Sequence, residues 1–298
     1  MTSSLLAADR IDDAATLLAD GYAIVRGAAP LSLVAEIEAD LADRFEATPF
    51  CEGGFYGART KRFGRLLIRS DRMVDLVMNP IVLSLAELAL GRFCDRLQLN
   101  LAQAIEIHPG ALPQFPHRDQ DMWAGEIGRV EYLVNVMWPL TPFTQENGAT
   151  LIWPGSHGAE ALAPEAKCNP VAAVANPGDA IVFLGSTLHG AGSNLSNGAR
   201  RGIIVSYCLG WLKPYENQWL AYPPEVARHF PPELAALAGY AQHRPNLGNF
   251  EGQCPSILFE GYPDEPIAAI DALRPDQAED LARHVDQQRR AGAGVPPP

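Results

Sequence analysis

Two stretches of the sequence decide the fold: VEYLVNVMWP at residues 130–139 and DAIVFL at residues 179–184. Both are short, rich in β-branched and apolar residues, and followed closely by residues that favour turns. The same pattern of short apolar, β-branched segments bounded by turn residues recurs at 97–108, 150–153 and 202–210. Because no helical pattern separates these segments, they predict an antiparallel sandwich or barrel, and not a parallel sheet built from alternating strands and helices.

Helical patterns flank this β-rich region on both sides. Apolar residues recur at helical spacing in 4–20, 32–45 and 73–91, and a polar helix is predicted from Pro275 to Arg290. Residues 49–72 contain several glycines and many cations, and we expect them to form an irregular excursion.

The chain shows no internal repeat and no linker that would divide it. We therefore expect residues 1–298 to form a single domain. Its predicted parts are a helical N-terminal flank with an active-site loop (1–95), a β-rich core (96–211) and a C-terminal extension (212–298).

Composition excludes several classes of function. The formal net charge is −12, and such an acidic surface repels phosphate backbones, so we expect no nucleic-acid partner. A run of 18 apolar residues is absent and the N-terminus lacks a basic region, so neither a membrane span nor a signal peptide is expected. The five cysteines form no CxxC pair, which favours a cytoplasmic protein with reduced thiols.

A histidine and a carboxylate stand two residues apart in QFPHRDQDMW, as His117 and Asp119. On extended backbone this spacing points both side chains to one face. If His189 from a distant strand joins them, the three form the two-histidine, one-carboxylate set that leaves adjacent positions open on Fe(II). The pair is a weak signal by itself, because Arg118 and Asp119 also fit a surface ion pair.

Two arginines, Arg200 and Arg201, follow His189 after a turn rich in glycine and asparagine, and they open the apolar run 202–207. A hairpin would bring His189 and an arginine to the same mouth of the barrel. A guanidinium group is a rigid fork for a carboxylate, so this arrangement suits a 2-oxo acid bound to metal. The alternative is that both arginines are solvated turn residues.

Four motifs in this order give the chain a family resemblance: HRD at 117–119, ENGAT at 146–150, WPGSH at 153–157 and HGAGSNLSNGARRG at 189–202. Together with DGYAIVRG at 20–27, they resemble the phytanoyl-CoA hydroxylase family of Fe(II)- and 2-oxoglutarate-dependent oxygenases. The stretches at 211–240 and 248–255, together with TKRFGRLLIRS at 60–70, look more like the subgroup that includes fungal meroterpenoid oxygenases.

The resemblance implies a mainly β fold, with a double-stranded β-helix (jelly-roll, cupin-like) core and flanking N- and C-terminal α-helices. It implies that the iron ligands are His117, Asp119 and His189.

The same resemblance assigns cosubstrate-binding roles for 2-oxoglutarate. Arg200 matches the arginine that binds the distal carboxylate, although a one-residue shift would give this role to Arg201. Thr150 matches a hydroxyl that supports the cosubstrate, and Gln114 matches a glutamine of the subgroup. Asn135, on a predicted strand, is expected to face the pocket if the strand parity is right.

Substrate-contacting candidates are Phe55 and Tyr56 in the irregular loop, Trp123 close to the HRD motif, and Arg65 in a cationic patch at 59–72. Buried tryptophans are more often simple core residues, and the cations also fit ordinary surface pairing.

The implied function is oxidation of a C–H bond in a hydrophobic, terpenoid- or polyketide-like small molecule. Fe(II), 2-oxoglutarate and O2 are the implied cofactor and cosubstrates, succinate and CO2 are released, and a homodimer is implied. An acyl-CoA hydroxylase, a Zn(II) or Mn(II) cupin-like metalloprotein and a cupin-like binding module remain alternatives.

Overall fold

The computed structural model describes residues 11–163 and 167–291. Its α-helices are α1 (Ile11–Asp20), α2 (Leu31–Ala47), α3 (Met73–Val77), α4 (Pro80–Leu90), α5 (Gln218–Ala221), α6 (Pro224–Ala227), α7 (Pro232–Leu237) and α8 (Pro275–Arg290). Its strands are β1 (Tyr22–Val25), β2 (Thr60–Phe63), β3 (Leu97–Ile107), β4 (Leu133–Pro139), β5 (Thr150–Ile152), β6 (Val171–Ala172), β7 (Ala180–Leu184), β8 (His189–Ala191) and β9 (Arg200–Leu209).

The strands form two sheets in which every pairing is antiparallel. The larger has six strands in the order β1-β7-β4-β9-β3-β2, and the smaller has three in the order β6-β5-β8. Apart from the pairs β3-β2 and β6-β5, the strands that lie side by side are not consecutive in the chain, so most neighbours come from segments far apart in the sequence. The predicted mainly β, antiparallel core with flanking helices is confirmed.

The two faces of the larger sheet have different partners. One face packs against α2 and α4, where Ile37, Leu41 and Leu85 are fully buried. The other face turns towards the smaller sheet. Alternation along β9 sends Ile203 and Val205 into the helix-covered core and Ile204 to the opposite face.

The excursion at 49–72 is more ordered than the sequence predicts. Residues Thr60–Phe63 form β2, which pairs with β3 at the edge of the larger sheet. A four-residue segment with two adjacent cations shows little preference for a strand by itself, so its extended conformation depends on pairing with β3. The helix predicted from residue 4 is seen from Ile11, and residues 4–10 lie outside the described residues.

One stretch, Met73–Phe93, is long and apolar enough to cross a membrane by length and composition alone. In the fold it consists of α3, α4 and a short helical turn, and the side chain of Asn79 caps α4 by accepting from the N–H groups of Ile81 and Val82. Half of this apolar stretch is buried inside the protein, so packing against the sheet accounts for much of its hydrophobicity.

Candidate metal centre

A backbone bridge brings the two predicted histidine ligands together. The N–H of His117 donates to the carbonyl of His189 at 2.9 Å, and the N–H of His189 donates to the carbonyl of His117 at 3.0 Å. This antiparallel pairing places both side chains on one face, with ring centroids 4.5 Å apart. Asp119 begins the helical turn that follows and lies against both rings.

Ligand atoms of His117, Asp119 and His189 all lie within 4.8 Å of one another. Nε2 of His117 is 3.3 Å from Oδ1 of Asp119, and Nε2 of His189 is 3.5 Å from Oδ2. Two imidazole nitrogens and a carboxylate oxygen converging in this way are a donor set suited to a divalent iron ion.

Hydrogen bonds at the other ring nitrogens fix both tautomers. Nδ1 of His117 lies 2.8 Å from the carbonyl of Phe115, and Nδ1 of His189 lies 3.0 Å from the carbonyl of Thr187. A carbonyl only accepts, so each Nδ1 carries the hydrogen and each Nε2 presents its lone pair to the centre.

Asn135 holds the carboxylate of Asp119 from the adjacent strand. Its Nδ2 donates to Oδ2 of Asp119 at 2.9 Å, so the predicted strand parity is right and the side chain faces the pocket. Burial raises the pKa of Asp119, but His189, His117 and Asn135 outweigh that effect and lower the pKa to about 2. The ligand is therefore a carboxylate across the physiological range.

Burial also affects the histidines, in opposite net directions. Desolvation lowers the pKa of His189. Desolvation is also the largest single influence on His117 and acts in the same direction, but the hydrogen bond to Asp119, the charge of Asp119 and the carbonyl of Phe115 together outweigh it, so the pKa of His117 is raised overall.

The structure distinguishes Arg200 from Arg201. Neighbouring residues of β9 point to opposite faces, and Arg200 is the one that lines the pocket. Arg200 is 2% exposed, donates to the carbonyl of Gly148 at 2.6 Å, lies over the Phe143 ring and leaves its Nε without a hydrogen-bond partner.

Arg201 points away from the pocket. Its Nε donates to Glu106 at 2.5 Å, and its guanidinium group lies 4.7 Å from the centre of the Phe45 ring on α2. Arg201 therefore forms an ion pair on the helix-covered face and does not line the pocket.

The remaining predicted cosubstrate residues, Gln114 and Thr150, line the same cavity as the metal ligands and Arg200, a space of about 100 Å³. Gln114 accepts from the N–H of Ala191 and donates to the carbonyl of Phe55. Thr150 is the first residue of β5 and is buried.

Of the four predicted substrate residues, Phe55 and Tyr56 line the cavity. The ring of Phe55 packs edge-on against His117 at 4.8 Å.

Arg65 and Trp123 do not line this cavity. Arg65 donates to the carbonyl of Ala221, and Trp123 donates to the carbonyl of Lys213 and packs near Tyr132. Both side chains instead attach the C-terminal extension to the core. Neither the closeness of Trp123 to the HRD motif nor the positive charge of Arg65 indicates this role.

Sequence reasoning missed two polar residues of the pocket wall. Arg62, placed only within the cationic patch, is the patch member that lines the cavity, where it donates to Gln103 and its Nε has no partner. Tyr215 approaches from the C-terminal extension, and its hydroxyl group is hydrogen-bonded to that of Tyr56. Neither residue carries a sequence signal of its own, because the pairing of β2 with β3 places Arg62 and the packing of the C-terminal extension places Tyr215.

These residues fit a metal and an anionic cosubstrate. The histidines present lone pairs from fixed tautomers, and the carboxylate is ionised. Desolvation lowers the pKa of Arg200 to about 9 because the guanidinium group is buried, and no carboxylate of the described residues pairs with it. A buried cation with an unpaired nitrogen is a receptor for a carboxylate.

A family profile and individual relatives of known name point to the same protein family. The profile of the phytanoyl-CoA dioxygenase (PhyH) family matches residues 17–202. The dioxygenase cdmD of Talaromyces verruculosus is 32% identical over 193 residues, covering 62% of this chain and 62% of that protein, just under two thirds of its length. The dioxygenase aneA of Aspergillus aculeatus is 31% identical over 229 residues, covering 72% of this chain and 76% of the relative. The multifunctional dioxygenase prhA of Penicillium brasilianum is 28% identical over 250 residues, covering 74% and 79%.

Solved structures share the fold at low identity. The α-ketoglutarate-dependent epimerase SnoN from nogalamycin biosynthesis superimposes with a TM-score of 0.59 and 22% identity, over 70% of this chain and 86% of that one. HygX from Streptomyces hygroscopicus, solved with nickel and 2-oxoglutarate, gives a TM-score of 0.53 at 14% identity, over 71% and 90%.

The family match spans more than half of the chain, and its matched residues include all three metal-ligand candidates and Arg200. The chain belongs to the phytanoyl-CoA dioxygenase (PhyH) family and is a non-haem iron, 2-oxoglutarate-dependent dioxygenase.

Proposed function

We propose that this protein oxidises a C–H bond of a hydrophobic, natural-product-like small molecule, with Fe(II) as cofactor and 2-oxoglutarate and O2 as cosubstrates, and releases succinate and CO2. The observation that carries the proposal is the presence of the His117–Asp119–His189 set and the buried, unpaired cation Arg200 in one cavity.

The cofactor, when bound, supplies redox chemistry at an open coordination face that amino-acid side chains lack. The chain's own residues hold that face in place. His117 and His189 offer Nε2 because their Nδ1–H groups are bonded to backbone carbonyls, and Asn135 orients Asp119.

Arg200 is suited to bind the distal carboxylate of 2-oxoglutarate, and Thr150 offers a hydroxyl group to the same cosubstrate. Arg62 adds a second cation to the cavity wall, and burial lowers its pKa. The buried guanidinium group of Arg200, the partly buried one of Arg62 and the single carboxylate of Asp119 make the empty cavity net positive, which favours a doubly anionic oxo acid.

The walls of the cavity favour an apolar substrate. Aliphatic and thioether side chains from three strands line it: Leu101, Ile105, Ile107, Met137 and Ile204. The aromatic side chains of Phe55, Tyr56 and Tyr215 also line the cavity, and the hydroxyl groups of the two tyrosines are hydrogen-bonded to each other.

The contacts of the cationic patch argue against the acyl-CoA alternative. Phosphate groups of CoA would need several free cations converging at the mouth of the cavity. Outside the pocket, the patch residues instead bind the protein itself: Arg59 to the carbonyl of Pro109, Arg65 to Ala221, Arg69 to Gly64 and Arg72 to Glu36.

The Zn(II) or Mn(II) cupin and the binding module remain as competing functions. Neither requires a buried, carboxylate-free arginine beside the metal site, and such a cation is costly to bury without a ligand. Arg200 therefore favours the 2-oxoglutarate-dependent enzyme.

Further parts of this proposal concern the whole chain. We infer that the two sheets form a double-stranded β-helix, within a single domain of residues 1–298. We also infer a cytoplasmic protein, to which the five free thiols are suited, and a homodimer, for which the exposed side chains of Leu247 and Tyr262 offer apolar surface.

The test is anaerobic loading with Fe(II), titration with 2-oxoglutarate, and then measurement of succinate formation with terpenoid and acyl-CoA panels. We expect saturable 2-oxoglutarate binding that the Asp119→Ala variant loses. Asp121→Ala, an exposed carboxylate in the same helical turn, is the matched control and should behave as wild type. Absence of 2-oxoglutarate binding in metal-loaded wild type would support the cupin alternatives, and turnover of acyl-CoA alone would refute the proposed substrate class.

A further inference from the structure

A second carboxylate, Glu131, is hydrogen-bonded to the segment that precedes His189 and has no part in the mechanism above. It precedes β4 and is partly buried. Both of its carboxylate oxygens accept from a single residue: Oε1 from the backbone N–H of Ser186 at 3.1 Å, and Oε2 from the hydroxyl group of Ser186. The hydroxyl oxygen of Ser186 in turn accepts from the N–H of Gly158.

Ser186 belongs to the 185–188 segment, which leads directly into His189. The carbonyl of Thr187 in this segment fixes the His189 ring through Nδ1, at 3.0 Å. The N–H of Leu188 donates to the hydroxyl group of Ser156 at 2.9 Å. The position of the 185–188 segment therefore determines where the Nε2 atom of His189 lies.

The same segment is also hydrogen-bonded to the stretch 117–120, which contains the other two ligands. Nε of Arg118, between His117 and Asp119, donates to the carbonyl of Ser186 at 3.0 Å. The N–H of Gln120 donates to the carbonyl of Gly185 at 3.1 Å. All three candidate iron ligands are thus tied to the four residues that Glu131 anchors.

Glu131 faces few compensating charges. The cavity beside it, of about 200 Å³, is lined by Arg92, Arg129 and His157. Arg129 is largely exposed and pairs with Glu126 at 3.6 Å. Desolvation is the largest influence on the carboxyl group, and it raises the pKa of Glu131 to about 7.

We propose that Glu131 is a positioning residue for the iron centre, acting through Ser186, and that the ionised carboxylate tightens metal binding. The inference rests on the proposed metal site. Ionised Glu131 accepts both hydrogen bonds from Ser186, whereas the neutral acid keeps one oxygen as an acceptor and turns the other into a donor. A bound dication also favours a nearby negative charge, and by linkage that charge favours the dication.

The pH dependence follows from this coupling. Because the raised pKa lies near neutrality, the fraction of ionised Glu131 increases as pH rises from about 6 to about 8. Protonation of the ligand histidines also weakens metal binding at low pH, but it does so in every variant that retains them. The ratio of variant to wild-type affinity at each pH therefore isolates Glu131.

The experiment measures Co(II) binding calorimetrically for wild type, Glu131→Gln and Ser186→Ala at about pH 6 and about pH 8, without cosubstrate. Loss of a hydrogen-bonding partner behind the ligands typically weakens metal binding ~10-fold or more. We expect a loss of about tenfold for Glu131→Gln at the higher pH and a ratio near one at the lower pH. Glu126→Gln, which removes a nearby exposed carboxylate, should match wild type at both.

Ser186→Ala keeps the carboxylate and removes only the hydroxyl link, so it decides the question if Glu131→Gln does not fold. It should also bind Co(II) more weakly at the higher pH. Wild-type affinity in the variants at both pH values, or an equal loss at both, would overturn the role of Glu131. Failure of wild type to bind Co(II) would instead overturn the proposed metal site.

Discussion

Replacing Arg200 with methionine should nearly abolish 2-oxoglutarate binding without destabilising the empty protein. Arg200 is 2% exposed, its Nε has no partner, and the one hydrogen bond of its guanidinium group within the described residues runs to the carbonyl of Gly148 at 2.6 Å. Methionine fills a similar length of side chain without the charge.

The loss of affinity follows from a buried charge pair. Truncating one partner of such a pair costs about 2–5 kcal/mol, and ~3 kcal/mol corresponds to roughly 150-fold in the dissociation constant. The empty protein responds differently. Burial lowers the pKa of Arg200 from 12.5 to about 9, which at ~1.4 kcal/mol per pKa unit indicates a penalty on the order of 5 kcal/mol for the buried charge.

Two favourable contacts of Arg200 offset most of this penalty. A charged hydrogen bond to Gly148 contributes about 1.5–3 kcal/mol, and the guanidinium group over the Phe143 ring contributes about 0.5–2 kcal/mol. The balance is close to zero or slightly in favour of the variant, so the melting temperature of the empty protein should not fall.

The assay is an anaerobic titration of Fe(II)-loaded protein with 2-oxoglutarate, paired with thermal unfolding of the empty protein. Arg201→Gln is the matched control, one residue along β9 on the opposite face. It leaves Glu106, which is 2% exposed, without its 2.5 Å partner. We expect it to lose about 1–3 kcal/mol of stability and to bind 2-oxoglutarate as wild type does.

The two variants should therefore separate binding from stability. If Arg200→Met bound 2-oxoglutarate with wild-type affinity while Arg201→Gln lost it, the assignment of Arg200 as the residue that binds the distal carboxylate would be refuted. If Arg200→Met melted well below wild type, the charge penalty worked out above would be wrong.

Three further changes test the site and the core. His117→Ala removes one of the three ligand atoms, so Co(II) binding should disappear while the circular dichroism spectrum is kept; retained binding would contradict the ligand assignment. Asn135→Ala removes the 2.9 Å hydrogen bond to Asp119 and should weaken Co(II) binding ~10-fold in a calorimetric titration; an unchanged dissociation constant would show that Asn135 does not orient the ligand. Leu41→Ala empties a fully buried position between α2 and the sheet and should lower the free energy of unfolding by ~2–5 kcal/mol in urea, whereas a loss below ~1 kcal/mol would mean that the site collapses around the cavity.

The cations at 59–72 show what the sequence pattern can predict about the charge of the pocket and what it cannot. The sequence identifies a cluster of cations at 59–72 but treats its members alike. Pairing of β2 with β3 makes Arg62 face the cavity, while Arg65 turns to the carbonyl of Ala221. The difference depends on which neighbouring strand accepts the short segment, and that is decided by contacts more than 40 residues away in the chain.

Local information was sufficient wherever backbone periodicity and residue chemistry determine the outcome. The strand-rich core, the polar helix Pro275–Arg290 and the spacing of His117 and Asp119 all follow from the sequence, because each depends on neighbours a few residues apart. The choice between Arg200 and Arg201 required the tertiary structure, since adjacent residues of a strand face opposite sides and only the packing of β9 against β3 and β4 shows which side is the pocket. Trp123, Tyr215 and Glu131 likewise acquire their partners from segments distant in sequence, so long-range packing alone decides their positions.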